Sequence, residues 1–436
     1  MNLIDTLVRA RWVIPVEPTG VVLERHSIAI EDGAIRDVFP TEEDPPGYEA
    51  RAVVDLPKHA VIPGLVNAHT HAPMGLFRGL ADDLPMMEWL QKHIWPAEER
   101  WVGAEFVRDG TALGVAEMLR GATTCFNDMY FFLDEAVRVA KGAGIRACIG
   151  LIIRDLPSAW ARSVDEYFAK GLKLHDDLRG SSLVTTAFAP HAPYTVSDEP
   201  LERVRTLAEE LDVPIHMHVH ETAGEVAQAE AATGLRPLKR LERLGLLTPR
   251  LLAVHMTQLQ AEEIETLAAT GVHVLHCPES NLKLASGFCP VEALMGAGVN
   301  VALGTDGAAS NNDLDMLGEM RTAALLAKGI SGSATALPAP MALRMATLNG
   351  AKALRLDDRI GSLQRGKSAD FAAIDLSAVS NQPVYDPISQ IVYAATRDQV
   401  TDVWVAGKRV LRDRRLTTLD EPAILQRAAS WQGRIT

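Results

Sequence analysis

Cysteine is scarce and unpatterned in this chain. There are four in 436 residues, at Cys125, Cys148, Cys277 and Cys289, with no CxxC pair among them. That excludes a zinc ribbon, and it excludes the deaminase zinc site that needs P-C-x-x-C. Buried reduced thiols are the expectation. Positive charge is also in deficit, with 43 Lys and Arg against 56 Asp and Glu and a net charge of −13. No basic cluster offsets the balance, so a nucleic-acid partner is not expected. Long apolar runs are missing at the N-terminus, where Asp5, Arg9 and Arg11 interrupt every one. Neither a signal peptide nor a membrane span is expected, and a soluble cytoplasmic protein follows as an expectation. Internal repeats and low-complexity segments are absent as well.

What remains is ample material for a core, with 47% hydrophobic and only 23% charged residues, which argues against disorder. Residues 1–60 alternate β-branched segments with turn residues, a hairpin texture. Beyond residue 60, apolar runs alternate with amphipathic stretches such as 103–120 and 198–212, the mark of βα units around a parallel sheet. Eight strands are predicted, at 60–67, 122–128, 146–153, 183–190, 213–220, 251–255, 272–277 and 300–305. Eight is the number that closes a barrel. The β texture returns near residue 366, and a helix is predicted at 421–431. The expected fold is therefore α/β: a (β/α)8 TIM barrel over 61–365, with a small β-sandwich domain built from both chain ends, 1–60 plus 366–436.

Chemistry concentrates at strand ends. Residues 63–71 read PGLVNAHTH, and His69 and His71, one residue apart, point the same way off one strand, as two ligands of one metal must. GTDGAASNN at 304–312 puts Asp306 at the end of another apolar strand, where a carboxylate can reach the same ion. PIHMHVHE and LLAVH carry His218, Glu221 and His255 to further strand ends. In a parallel barrel these ends converge on one mouth.

These residues resemble the amidohydrolase superfamily, whose barrels bind metal through HxH after strand 1, His after strands 5 and 6, and Asp after strand 8. Members with two metals bridge them by a carboxylated lysine after strand 4. The strand here, LVTTAFAPH, has no lysine, so the chain is similar to the mononuclear branch. The longer strings PGLVNAHTHAPMGLFRGLADDLPMMEWL, APHAPYTVS, HVHET, ESNLKL and GTDGAASNN look like the 5-methylthioadenosine/S-adenosylhomocysteine deaminase group. The resemblance spans nearly the whole chain. It implies metal ligands His69, His71, His218 and Asp306 for one divalent ion, zinc first, with Fe²⁺ or Mn²⁺ as alternatives. It further implies Glu221 as proton shuttle and His255 as the residue that positions the attacking water. Asp306 then accepts a proton, and Trp89, Glu98 and His191 contact substrate, Glu98 through the ribose.

Each such residue has a plainer reading. Of His216, His218 and His220, which share parity, the resemblance selects His218, because the family's pattern is H-x-x-E and His218 stands at that spacing from Glu221. His216 is then a packed or hydrogen-bonded core histidine, and His220 is expected to support a ligand. His276 lies between pocket wall and catalytic neighbour. Trp89 could be core, and Glu262, Glu263 and Glu265 a solvated helix face. Family members that take S-adenosylhomocysteine place arginines after strand 3. Arg154 and Arg162 follow that strand here, but with departing spacing, which favours 5-methylthioadenosine or adenosine.

The implied activity is zinc-dependent hydrolytic deamination at the 6-amino group of an adenine nucleoside, a purine-salvage reaction. An aminohydrolase of a free base, triazine, pterin or other purine-like ring is the alternative, and a non-catalytic metal-binding scaffold a more distant one. A homo-oligomer, dimer or tetramer, is expected.

Overall fold

The computed structural model describes residues 2–42 and 48–435. The N-terminal hairpin texture forms β1 (Asn2–Val13), β2 (Leu23–Glu31), β3 (Ala34–Pro40) and β4 (Tyr48–Pro63). Eight shorter strands follow, each before a helical segment: β5 (Leu65–Thr70), β6 (Thr123–Asp128), β7 (Arg146–Ile153), β8 (Val184–Pro190), β9 (Ile215–Val219), β10 (Leu251–His255), β11 (His273–His276) and β12 (Val301–Leu303). The chain ends with β13 (Phe371–Asp375), β14 (Val400–Val405), β15 (Lys408–Arg412), β16 (Arg415–Leu416) and a helix, Glu421–Ile435.

β5 to β12 pair in sequence order, every pair parallel. They are almost uniformly buried and rich in Val, Ile, Leu and Ala, as strands covered on both faces must be. Closure runs through the rim. The Asp306 amide donates to the His69 carbonyl at 3.0 Å, and the Asn67 side chain exchanges hydrogen bonds with Thr305 at 2.8 and 3.0 Å. Gly304 permits this approach, because a Cβ there would lie 2.6 Å from the His69 nitrogen.

The expected first barrel strand, 60–67, is not one strand. Its first half ends β4, which pairs with β1 and β13, and its second half begins β5. The chain changes sheets at Gly64, where a Cβ would fall 2.0 Å from the Thr124 hydroxyl oxygen. The Pro63–Gly64 pair inside the apolar run marks that turn. The other seven barrel strands fall within their expected ranges to within two residues at each end.

Both chain ends join in one mixed sheet, ordered β16-β15-β14-β13-β4-β1-β2-β3. Its core includes Val8, Ile28, Ile30 and the stacked pair Phe371 and Trp404, with ring centroids 4.6 Å apart. A buried ion pair ties this sheet to the barrel. Arg146, which opens β7, donates Nε to Asp370 Oδ2 at 2.6 Å and Nη2 to Oδ1 at 3.1 Å. All four cysteines are free and buried. Among the described residues no helix is long and apolar enough to cross a membrane.

Candidate active site

His69 lies in β5 and His71 directly follows it, His218 lies in β9, His255 ends β10, and Asp306 follows β12. Their functional atoms converge at the mouth of the barrel. Both His69 Nε2 and His71 Nε2 stand 3.4 Å from Asp306 Oδ1. Two triplets, His69 with His71 and Asp306, and His69 with His218 and His255, each bring one atom per residue to within 4.8 Å of the others. His255 and Asp306 sit in the left-handed region, at φ 75° and 64°. A non-glycine residue is held there only by its surroundings, a form of strain that gathers at functional sites.

The outer ring nitrogens are fixed by the scaffold. His71 Nδ1 donates to the Met129 carbonyl at 2.6 Å and His218 Nδ1 to the His191 carbonyl at 2.7 Å. Each proton is thus held on Nδ1, and each Nε2 offers its lone pair inward. His69 Nδ1 lies 2.7 Å from His216 Nε2, and His69 Nε2 is buried with no hydrogen-bond partner. Burial lowers the His69 pKa to about 4 and holds His218 well below its ordinary value, so both rings stay neutral, as metal ligation requires. Burial pushes the Asp306 carboxyl up, but the close approach of His69, with Nε2 3.4 Å from Oδ1, and the nearby His71 and His255 outweigh it and hold the group well below its ordinary value. Ser280 donates to Asp306 Oδ2 at 2.7 Å, and the Gly307 amide to Oδ1 at 2.7 Å. The imidazoles of His69, His71 and His218, the Asp306 carboxylate and the orphaned buried Nε2 of His69 suit a divalent cation such as zinc.

His255 is oriented otherwise. Asn281 places its Nδ2 amide 2.9 Å from His255 Nδ1, and with the amide so turned the imidazole proton sits on Nε2. That atom lies 3.8 Å from Glu221 Oε1. Burial, with a further push from Asp306, raises the Glu221 carboxyl to about 8. The Glu221 backbone is clamped by Thr257, whose hydroxyl donates to its carbonyl at 2.7 Å, and by Glu225, whose carboxylate accepts from its amide at 2.7 Å.

One cavity opens over these groups, and His71, His218, Glu221, His255 and Asp306 form its floor. Trp89, Glu98 and His191 all line it, as does Arg154. Trp89 comes from the turn Met86–Trp89, with its indole nitrogen buried and unpartnered. Glu98 comes from the helix Trp95–Trp101 and accepts a hydrogen bond from the Tyr130 hydroxyl at 2.8 Å. Burial raises the Glu98 carboxyl and the Tyr130 hydrogen bond opposes it.

Three expectations change. His216, not His220, hydrogen-bonds a member of the cluster, His69. His220 follows the end of β9 with φ 53°, which breaks strand parity. Its Nε2 instead accepts from the Leu238 amide at 3.1 Å. His276 is buried but does not line the cavity, and Arg162 is exposed away from it. Glu263 is not solvated freely, since its carboxylate receives Arg236 Nε at 2.7 Å. Sequence reasoning assigned no role to Tyr130, Ser280 or Asn281. The last two lie within the ESNLKL string just after β11, so their place beside the site had a signal; Tyr130 had none.

Residues 60–410 match the model of the amidohydrolase family. A protein of Saccharophagus degradans named 5-methylthioadenosine/S-adenosylhomocysteine deaminase is 51% identical over 99% of this chain and 97% of its own length. A relative of the same name from Teredinibacter turnerae is 49% identical, covering 99% and 98%. Among solved structures, an adenosine deaminase from Xanthomonas campestris with bound zinc superposes with a TM-score of 0.98 at 56% identity, over 100% of this chain and 99% of that one. Atrazine chlorohydrolase from Arthrobacter aurescens complexed with zinc gives 0.91 at 25% identity, over 98% and 99%. By the extent of the family match and by its relatives, this chain belongs to the amidohydrolase family.

Proposed function

We propose that the protein is a zinc-dependent hydrolytic deaminase that converts the 6-amino group of an adenine nucleoside, 5-methylthioadenosine or adenosine, to the inosine analogue and ammonia. The observation that carries the reading is one cavity with the histidine and aspartate cluster and Glu221 on its floor and the Glu98 carboxylate on its wall. Two relatives bearing the name 5-methylthioadenosine/S-adenosylhomocysteine deaminase over nearly the full chain support it.

In this reading His69, His71, His218 and Asp306 hold the ion. When bound, such a cation makes a hydroxide-like nucleophile available by lowering the pKa of water from 15.7 toward about 7. Asp306, kept ionised by its imidazole neighbours, accepts a proton from the attacking water. His255, with its proton on Nε2, donates a hydrogen bond to that water's oxygen and sets its line of approach to C6. Glu221 delivers a proton to ring N1; with its carboxyl near 8, both protonation states are within reach at neutral pH. The proton held by Asp306 passes to the amino group, the C–N bond breaks and ammonia leaves, and the remaining C6 hydroxyl proton returns to Glu221, which restores both carboxyl groups. Trp89 and His191 wall the base, and Glu98 accepts from the ribose hydroxyls.

The likeness to an atrazine chlorohydrolase favours a second reading, a ring substrate without a sugar. Glu98 discriminates, since a bare ring has no diol to offer it. On 5-methylthioadenosine, Glu98→Ala should lose about ten- to hundredfold in kcat/KM, the scale of a hydrogen bond to a charged acceptor. A 2′,3′-dideoxy substrate should show a similar loss with the unaltered protein and little more with the variant. A silent Glu98→Ala would overturn the nucleoside reading.

A further inference from the structure

Glu98 and the metal cluster belong to different parts of the chain. The carboxylate rides on the helix Trp95–Trp101, in the long connection between β5 and β6, whereas the imidazoles sit on the barrel strands. For a nucleoside to place C6 over the reacting centre while its ribose meets Glu98, the separation of the two must be fixed. The residues that could fix it are Met129 and Tyr130, which directly follow β6. The Met129 carbonyl accepts from His71 Nδ1 at 2.6 Å, and the next residue's hydroxyl donates to Glu98 Oε1 at 2.8 Å. Tyr130 is itself held firmly, 5% exposed, with its ring 5.4 Å from that of Phe131 and 6.4 Å from that of His71.

We propose that Tyr130 is a positioning residue that references the Glu98 carboxylate to the metal-binding floor, and so sets the preference for a ribose diol. The proposal rests on the nucleoside reading given above. A carboxylate offers about four acceptor sites on two oxygens. Tyr130 occupies one of those on Oε1, which leaves Oε2 free and one further site on Oε1, enough for two ribose hydroxyls. The phenol also selects among carboxylate rotamers, since only one that keeps Oε1 near its hydroxyl retains the hydrogen bond. Without the hydroxyl, Glu98 keeps its charge and its helix but loses its fixed direction. Binding of the diol then carries the cost of ordering the side chain, while the chemistry at C6 is untouched.

The test uses the full-length, zinc-loaded protein with Tyr130→Phe, which keeps the ring and its packing. Expected are zinc content and melting behaviour like the unaltered protein, and a rise in KM for 5-methylthioadenosine of about three- to tenfold with kcat within about twofold. For 2′,3′-dideoxyadenosine KM should not move, and in a Glu98→Ala background Tyr130→Phe should add no further loss. A purely structural role would instead raise KM for both substrates or lower kcat, and that result overturns the proposal. So does an unchanged KM for 5-methylthioadenosine with Tyr130→Phe while Glu98→Ala is impaired. If Glu98→Ala is itself silent, the nucleoside reading falls, and the proposal with it.

Discussion

Glu221 and His255 differ from the ligands around them through partners that the sequence spacing does not reveal. His218 gives its Nδ1 proton to a carbonyl, whereas His255 faces the Asn281 amide, so two neighbouring imidazoles present opposite faces of their chemistry to one cavity. Replacing Glu221 by Gln keeps shape and polarity but removes the titratable group. That variant should retain its zinc and lose kcat by about 10²–10⁴; steady-state rates beside elemental analysis check it. The HxH pair was legible in the sequence because its two side chains leave one strand on the same face, and His218, His255 and Asp306 because each falls at or just past the end of an apolar run, their roles coming from the family resemblance. The exchange of roles between His216 and His220 was not, because parity holds only while the strand lasts, and β9 stops at Val219. Tyr130 was invisible for a related reason: the helix Ala104–Arg120 separates it from its partner Glu98 along the chain, and only the folded β5–β6 connection brings the two together.

At the scale of elements, the site depends on how closely β5 and the segment after β12 approach. Gly304 lets them meet, and a methyl group there would press on both the backbone nitrogen and the Cβ of His69, at 2.6 and 2.8 Å. Gly304→Ala should therefore cost about 1–3 kcal/mol of stability through overpacking and displace His69, a ligand in the proposed reading. Denaturant unfolding and zinc content after dialysis would both report it, and a variant that keeps zinc at unaltered stability would contradict the described closure. Strand number and order followed from the alternation of apolar runs with amphipathic stretches, and the barrel could be anticipated from that count. The switch between sheets at Gly64 had a signal in the Pro63–Gly64 pair, but its cause was not legible, since the constraint comes from Thr124 on the next strand.

Across the whole molecule, the two ends of the chain are built into one sheet that meets the barrel through Arg146 and Asp370, side chains 5% and 1% exposed. Removing one member of so buried a pair strands the other, so Asp370→Asn should destabilise the fold by about 3–5 kcal/mol. It should leave KM and zinc content of the surviving folded protein unchanged, because the pair lies at the start of β7 while the reacting groups follow the strand C-termini. Chemical denaturation paired with kinetics separates the two effects. The division follows barrel geometry: the His and Asp cluster and Glu221 gather at the strand C-termini, and the Arg146–Asp370 pair lies at the start of β7. The measurement that bears most directly on the central claim is the rate of ammonia release by the zinc-loaded full-length protein across 5-methylthioadenosine, adenosine, S-adenosylhomocysteine, adenine, guanine and an aminotriazine. The expected result is the highest kcat/KM for 5-methylthioadenosine or adenosine, with formation of the corresponding inosine. Faster turnover of a free base or the triazine than of any nucleoside would contradict it.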